Sequence, residues 1–168
     1  MKTLVLIRHA KSSWKDETLP DRERPLNSRG KNDAPLMGQI LFEKKIIPDL
    51  VLSSSAKRAK KTAQKIFFDI YGFTESQVHL TDDLYFTGVP FHLRIINTLL
   101  DKKNTVILIG HNPDFNDLVT FLAQEPVEEM PTSGVYCLDF DVNSWSEIAK
   151  NSGKIRFFEF PKKYKEIK

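Results

Sequence analysis

The sequence predicts an α/β fold: a three-layer sandwich in which helices flank a mainly parallel central sheet. Short apolar runs rich in β-branched residues recur along the chain. They do not alternate with polar residues, which is typical of strands buried on both faces. Segments with helical periodicity lie between these runs. Since strands that alternate with helices build parallel sheets, both observations favour the same architecture.

Three apolar runs are the expected central strands, because they are short and are flanked by turn residues. They cover residues 4–7, 50–52 and 105–109. Two later segments, 135–140 and 155–160, are also strand-like, and the first of them alternates between apolar and polar positions. We expect these two segments to form either a hairpin arm or an added antiparallel edge.

Helical periodicity predicts four helices between and after the central strands. Their expected ranges are 27–45, 56–71, 91–100 and 113–123. Asn27 or Ser28 is a suitable cap for the first helix, and Pro35 indicates a late start or a kink in it. Gly72 suits the end of the second helix. Asn112 before Pro113 places a cap residue ahead of a proline at the first helical position.

The composition indicates one folded domain. A chain of 168 residues with 40% hydrophobic and 28% charged residues has an ordinary globular balance, which argues against a disordered, collagenous or coiled-coil protein. We expect a single domain over residues 1–161 and a frayed basic tail over 162–168. Cys137 is the one cysteine, so no internal disulfide is expected.

Charge and hydropathy exclude two classes of partner. The 25 Lys and Arg against 22 Asp and Glu give a net charge of +3, which is too small to indicate nucleic-acid binding. No apolar run approaches the ~20 residues that span a bilayer. The first apolar run stops at Arg8, which is too early for a signal peptide. We therefore expect no membrane association and a cytoplasmic location.

Basic and imidazole side chains follow the predicted central strands. Arg8 and His9 end the first strand, Arg58 lies within the first helical turn after the second, and His111 follows the third. Ligands of open α/β sheets bind beyond the carboxyl ends of the strands. Guanidinium groups, imidazoles and helix N-termini together favour phosphate. The sequence therefore predicts a phosphate site at this edge of the sheet.

Among these groups, an imidazole is both nucleophilic and largely unprotonated near neutral pH. Attack of His9 on phosphorus would form a phosphohistidine intermediate, which water then hydrolyses. Arg8, Arg58 and a protonated His111 would hold the phosphate oxygens. The other two histidines, His79 and His92, lack partners at ligand spacing, so we expect neither a metal nor a cofactor.

Three motifs resemble those of the histidine phosphatase superfamily: residues 6–9 (LIRH), 54–63 (SSAKRAKKTA) and 110–113 (GHNP). Residues 8–14 (RHAKSSW), Asp21 and residues 24–30 (RPLNSRG) are similar to the SixA-like phosphohistidine phosphatase branch. The resemblance implies that His9 is the nucleophile.

The resemblance also assigns the phosphate pocket. It implies that Arg8, Arg58 and His111 form this pocket. Ser12 and Arg24 are further candidates for substrate binding, although a local turn and a salt bridge are equally good roles for them. Ala10 departs from the superfamily motif, which has glycine at this position, and this small change should not close the pocket.

No carboxyl group stands in a convincing general-acid motif. The nearest candidates are Asp82, Asp83 and Asp114. An alcohol ester needs a proton for its leaving group, whereas imidazole leaves more easily. The sequence therefore favours a phosphorylated protein, such as a phosphohistidine-containing signalling domain, as substrate. A small phosphate ester is the alternative, and a non-catalytic phosphate-binding module is the third hypothesis.

Overall fold

The computed structural model describes residues 1–165, and within them six strands form one sheet. The strands are β1 (Lys2–Arg8), β2 (Leu50–Ser54), β3 (Val78–Thr81), β4 (Thr105–Gly110), β5 (Val135–Phe140) and β6 (Gly153–Glu159). Their spatial order is β3-β2-β4-β1-β5-β6. The strands from β1 to β4 pair in parallel, whereas β5 is antiparallel to β1 and β6 to β5. The predicted α/β fold is confirmed, and the late strands form the antiparallel edge.

Helices cover both faces of the sheet. They are α1 (Ser28–Glu43), α2 (Lys57–Ala63), α3 (Val89–Asn97), α4 (Asp114–Leu122) and α5 (Lys162–Lys165). The side chains of β1 alternate between two cores: Leu4 and Leu6 pack with α4, while Val5 and Ile7 pack with α1 and the segment after α2. This two-sided burial explains why the central strands are apolar at successive positions.

The first helix keeps its predicted cap. The Asn27 side chain accepts a hydrogen bond from the Gly30 backbone N–H at 2.9 Å. Pro35 lies inside α1 without ending it. The fourth helix begins at Asp114, one residue later than predicted, after a cis Asn112–Pro113 bond. Pro113 therefore occupies the N-cap position rather than the first helical position. Asn112, one residue earlier, still satisfies one helix donor, since its Oδ1 accepts from the Asn116 N–H at 3.1 Å.

The second predicted helix differs from a single α-helix. After α2, residues Gln64–Phe68 form a π-helical turn, with the Asp69 N–H donating to the Gln64 carbonyl at 3.3 Å. The wider turn places the consecutive side chains of Ile66 and Phe67 in the core. A local change in hydrogen bonding of this kind has no signal in the apolar spacing.

Two further elements differ from the sequence-based expectation. The edge strand β3 was not predicted, because among its residues Val78 alone is buried. The C-terminal segment is expected to be a frayed tail from Lys162, but Lys162–Lys165 form α5. Lys165 pairs with the buried Asp33, and Tyr164 bonds to Glu159, which fixes this turn on the domain. Residues 166–168 of the expected tail lie outside the described residues.

Candidate active site

The carboxyl ends of β1, β2 and β4 meet at one edge of the sheet. Because β4 lies between β1 and β2, its last residue, Gly110, pairs with Arg8. The His9 N–H also donates to the Gly110 carbonyl at 3.0 Å. This topology places His9, His111 and Ser54 next to one another, as the sequence predicts for His9 and His111.

His9 is held with one ring nitrogen free for reaction. Its Nδ1 lies 2.7 Å from the Ala10 carbonyl oxygen, and since a carbonyl can only accept, Nδ1 carries the hydrogen. The neutral ring then has its lone pair on Nε2. The Arg58 Nε lies 3.4 Å from that nitrogen, in the orientation of a weak donor.

The loop that carries His9 is fixed by close backbone contacts. The Ala10 N–H donates to Thr62 Oγ1 at 2.9 Å, and Thr62 in turn donates to the Arg58 carbonyl at 2.7 Å. Ala10 is fully buried, so the methyl group that replaces the family's glycine fits. Gly30 packs on the next residue: a Cβ added there would lie 2.2 Å from the Lys11 carbonyl oxygen.

His111 lies beside His9, with 5.2 Å between the ring centroids. Its Nε2 is 2.8 Å from Ser54 Oγ. Ser54 Oγ already accepts from the Ala56 N–H at 3.2 Å, and its own hydrogen is satisfied when it donates to His111. In that arrangement Nδ1 of His111 carries a hydrogen. This buried atom has no hydrogen-bond acceptor among the described residues.

Burial lowers the pKa of both site histidines. The pKa of His9 falls from 6.5 to about 3, chiefly through desolvation, and Arg58 and Arg8 lower it further. The pKa of His111 falls from 6.5 to about 2 through desolvation and through repulsion from His9 and Arg58. The protein's own groups therefore favour a neutral His111, in contrast to the protonated form expected from the sequence.

Arg58 is buried and paired with Asp21. Its two terminal nitrogens donate to the Asp21 backbone oxygen at 2.8 Å and to Asp21 Oδ2 at 2.9 Å. Tyr85 also donates to this carboxylate, at 2.5 Å. Although partial burial alone would raise the pKa of Asp21, its bonds from Tyr85, Arg58 and Arg24 lower it to about 2. Asp21 is consequently ionised at neutral pH and orients the Arg58 guanidinium.

Arg8 is anchored from the opposite side. One terminal nitrogen donates to the Met130 carbonyl at 2.9 Å. The Ser133 N–H donates to the carbonyls of both Arg8 and His9 at 3.1 Å. The Arg8 Nε and the Ser133 Oγ are buried and lack partners among the described residues. Two polar atoms on residues adjoining His9 are thus available to a ligand.

Arg24 and Ser12, the two further candidates, contact each other rather than His9. Arg24 donates to Ser12 Oγ, and it donates to Asp21 Oδ1 at 3.0 Å. Its guanidinium lies 3.3 Å from the centre of the exposed Trp14 ring. In the described contacts, Arg24 supports Asp21 and through it Arg58. Direct substrate binding by Ser12 and Arg24 stays a prediction.

The three proposed acids lie in different surroundings. Asp82 is exposed and pairs with Arg22 and Ser55, and these contacts lower its pKa. Asp83 is exposed. Asp114 accepts from the Gly88 N–H at 3.1 Å. Among the described residues, none of the three makes a hydrogen bond or ion pair with His9 or Arg58.

Sequence reasoning missed Ser54, Tyr85 and the pairing of Asp21 with Arg58. Ser54 stands in a run of three serines, and only the strand register selects the one that faces His111. Tyr85 belongs to a loop without an apolar pattern. The sequence does point to Asp21. This residue lies three positions before Arg24, in a stretch that resembles a motif of the SixA-like branch.

The described part of the chain has neither a metal-ligand cluster nor a membrane-spanning helix. Within residues 1–165, no group of three or more His, Cys, Asp or Glu side chains is arranged to hold a metal ion. No described helix is both long enough and apolar enough to cross a bilayer.

Comparison with known proteins agrees with the motifs and the geometry. A family model described as histidine phosphatase superfamily (branch 1) matches residues 4–84. A chloroplastic protein of Arabidopsis thaliana is 31% identical over 159 residues, which are 90% of this chain and 72% of that protein. The chain belongs to the histidine phosphatase superfamily.

Within that superfamily the chain is similar to the SixA-like branch. A SixA protein of Agrobacterium tumefaciens is 25% identical, with a TM-score of 0.81 over 95% of this chain and 98% of the other. A protein histidine phosphatase SixA in complex with tungstate is 21% identical, with a TM-score of 0.81 over 96% and 99% of the two chains. These structures share the fold of the chain, and membership of the superfamily supports phosphatase activity.

The lowered histidine pKa values predict that acid destabilises the fold. Between pH 7 and 5 the unfolded chain takes up protons that buried His9 and His111 exclude, because the unfolded pKa is 6.5 and the folded values are about 3 and about 2. The free energy of unfolding should fall as the pH drops through 6.5, by up to about 1.4 kcal/mol per pH unit for each histidine. Urea unfolding at pH 7 and pH 5 measures this change.

The control for this measurement is a matched pair of histidine variants. His111→Asn should reduce the pH dependence, whereas His79→Asn should preserve it because His79 is exposed. The buried His9 and His92, whose pKa values are also lowered by desolvation, act in the same direction and leave a residual slope. Equal unfolding free energies of the wild-type protein at the two pH values would contradict the prediction.

Proposed function

We propose that this protein removes phosphate from phosphohistidine on a protein substrate, through a phosphohistidine intermediate on His9. The observation that carries the proposal is the pairing of Asp21 with Arg58, which holds this carboxylate as a bound anion rather than as an acid. Arg58 links Asp21 to the nucleophile, and a pKa lowered to about 2 leaves the carboxylate without a proton to donate at neutral pH. A substrate whose leaving group brings its own proton suits such a site.

The nucleophile is prepared by its surroundings. The low pKa keeps His9 neutral, and the Ala10 carbonyl directs the lone pair to Nε2. Nε2 attacks phosphorus while the bond to the substrate's ring nitrogen breaks. A substrate ring protonated on its other nitrogen leaves as neutral imidazole, so no acid from the protein is needed.

Donors around His9 would hold the transferred group. The Arg8 Nε and the His111 Nδ1 are buried and unpartnered among the described residues, and Arg58 lies 3.4 Å from His9 Nε2. Phosphoryl transfer depends on such fixed donors, since charge is spread over the three equatorial oxygens. The incoming phosphate also favours protonation of His111, because a nearby negative charge raises the pKa of an imidazole.

In the second half of the reaction, water attacks the phosphorus of phosphorylated His9. The P–N bond breaks, its electron pair returns to Nε2, and the proton of the water passes to the released phosphate. His9 is then regenerated with its hydrogen on Nδ1. No step in this sequence uses a metal ion, so we expect turnover to continue in the presence of a chelator.

The test compares three substrates with the wild-type protein and excess chelator at neutral pH. They are a phosphohistidine peptide, the same peptide with phosphoserine, and an aryl phosphate. We expect the phosphohistidine peptide to be hydrolysed at least about 100-fold faster than the phosphoserine peptide, since the serine alkoxide needs a proton. A reaction without enzyme corrects for spontaneous loss of phosphate.

Other outcomes would assign the other hypotheses. Faster turnover of the aryl phosphate than of phosphohistidine would indicate a small-molecule phosphomonoesterase. Binding of phosphate without turnover of any of the three substrates would indicate a phosphate-binding module. Loss of activity on adding chelator would contradict the metal-independent mechanism.

A further inference from the structure

Phe86 presents an aromatic ring at the mouth of the site. Its ring centroid lies 4.7 Å from that of the buried His111, at an interplanar angle of 31°. Yet Phe86 is 46% exposed, so its burial adds little to the core. A half-exposed apolar ring directly beside a polar pocket is suited to contact a ligand.

The backbone at Phe86 is strained. Its φ angle is +55°, in the left-handed region that bulky residues rarely adopt. Strain of this kind persists where the surroundings fix the chain, and it is common at ligand sites. The strained backbone is a second observation, independent of the ring contact with His111, that indicates a functional role for Phe86.

Contacts on both sides fix the Phe86 loop. Tyr85 donates to Asp21 at 2.5 Å, and its ring lies 4.5 Å from the Arg22 guanidinium. Thr87 donates from its hydroxyl to the Asp83 carbonyl at 2.6 Å. The Gly88 N–H donates to Asp114. The backbone on both sides of Phe86 is therefore held in place.

The exposed part of Phe86 is open to a substrate ring that reaches the site from solvent. In an in-line attack the leaving ring lies on the opposite side of phosphorus from the nucleophile, and a ring carried on another protein approaches from solvent. Phe86 contacts the His111 ring, whose centroid lies 5.2 Å from that of His9. The half-exposed Phe86 ring is thus available beside the histidine pair.

We propose that Phe86 is a specificity-determining residue that packs against the imidazole ring of the substrate phosphohistidine as it leaves. This inference rests on the proposed function and names the group that the site recognises beyond the phosphate. An imidazole ring packed against a phenyl ring gains aromatic packing whether or not it carries a charge. A flexible alkyl amine has no ring to pack in this way.

The experiment measures selectivity between two N–P substrates that differ in the leaving group. One peptide carries phosphohistidine, and the matched peptide carries phospholysine. Phe86→Ala should lower the ratio of kcat/KM for phosphohistidine to that for phospholysine by roughly 3- to 10-fold. The loss should be larger in kcat/KM than in the binding of vanadate, which has no leaving group.

Two further variants separate the effect of the aromatic ring from the effect of side-chain volume. Phe86→Leu keeps apolar bulk and should lose the selectivity, whereas Phe86→Tyr keeps a ring and should retain it. Phe42→Ala is the matched control, since Phe42 is 47% exposed but lies on α1, where it contacts Tyr71. Its selectivity should equal that of the wild-type protein.

The possible failures are distinguishable. If the wild-type protein hydrolyses phosphohistidine and Phe86→Ala slows both peptides equally, Phe86 acts only as a cover for His111, and the inference is overturned while the proposed function stands. If Phe86→Leu retains full selectivity, recognition of the ring is overturned in the same way. If the wild-type protein does not act on phosphohistidine, both proposals fail.

Discussion

Replacing His9 with alanine should abolish phosphate release, with kcat falling by at least about 10⁴-fold. The variant removes the Nε2 atom that the Ala10 carbonyl and the low pKa of His9 prepare for attack. Neither Arg58 nor His111 can replace it, because a guanidinium is not nucleophilic and His111 Nε2 bonds to Ser54. Release of phosphate from the phosphohistidine peptide measures the effect.

Two observations accompany this result if His9 is the nucleophile. Rapidly quenched wild-type protein should carry an acid-labile, base-stable phosphoryl group on His9, and the variant should carry none. Added imidazole should restore part of the activity, because it can enter the space left by the missing ring. His79 is an exposed histidine on β3, so His79→Ala should release phosphate at the wild-type rate. Turnover by His9→Ala within about tenfold of the wild type would place the nucleophile elsewhere.

Replacing Arg58 should have the second largest effect. We expect both Arg58→Ala and Arg58→Lys to lower kcat/KM by about 10²- to 10³-fold, the usual cost of losing a fixed donor to a developing oxyanion. Lysine cannot substitute because Arg58 uses three nitrogens at once, two on Asp21 and one towards His9. A single ammonium group cannot make these contacts together.

The neighbouring Lys57 provides the control for Arg58. It lies on the same helix and is exposed, so Lys57→Ala should leave kcat/KM unchanged. Asp21→Asn should cost less than Arg58→Ala, because the guanidinium stays charged but loses its ionic anchor. Circular dichroism checks that each variant is folded. If kcat/KM of Arg58→Lys stays within about threefold of the wild-type value, the planar arrangement of several donating nitrogens in the guanidinium is not needed.

Much of the fold was predictable because burial on both faces leaves a strong pattern in sequence. The central strands β1, β2 and β4 are apolar at consecutive positions, Asn27 is the N-cap of α1, and Asn112 lies two residues before the start of α4. The edge strand β3 has no such pattern, since only Val78 is buried. The π-helical turn after α2 depends on hydrogen-bond spacing rather than on hydrophobicity, so no residue signals it.

The candidate site could likewise be predicted only in part. Strand ends and motifs place Arg8, His9, Arg58 and His111 at one edge of the sheet, as parallel topology requires. Their electrostatics depend on contacts that have no sequence signal. The pKa of His111 falls because of burial and the proximity of His9, and Arg58 is oriented by an aspartate 37 positions away. The strained Phe86 also lies outside any motif.

The placement of the one cysteine has a consequence for redox sensitivity. Cys137 lies in β5 and is fully buried, and burial raises the pKa of its thiol to about 12. A protonated, inaccessible thiol reacts poorly with peroxides and alkylating agents. Phosphatases that use a cysteine thiolate lose activity to such reagents. With His9 as the proposed attacking group and its thiol buried in the sheet, we expect this protein to keep its activity under oxidising conditions that inactivate thiol-based enzymes.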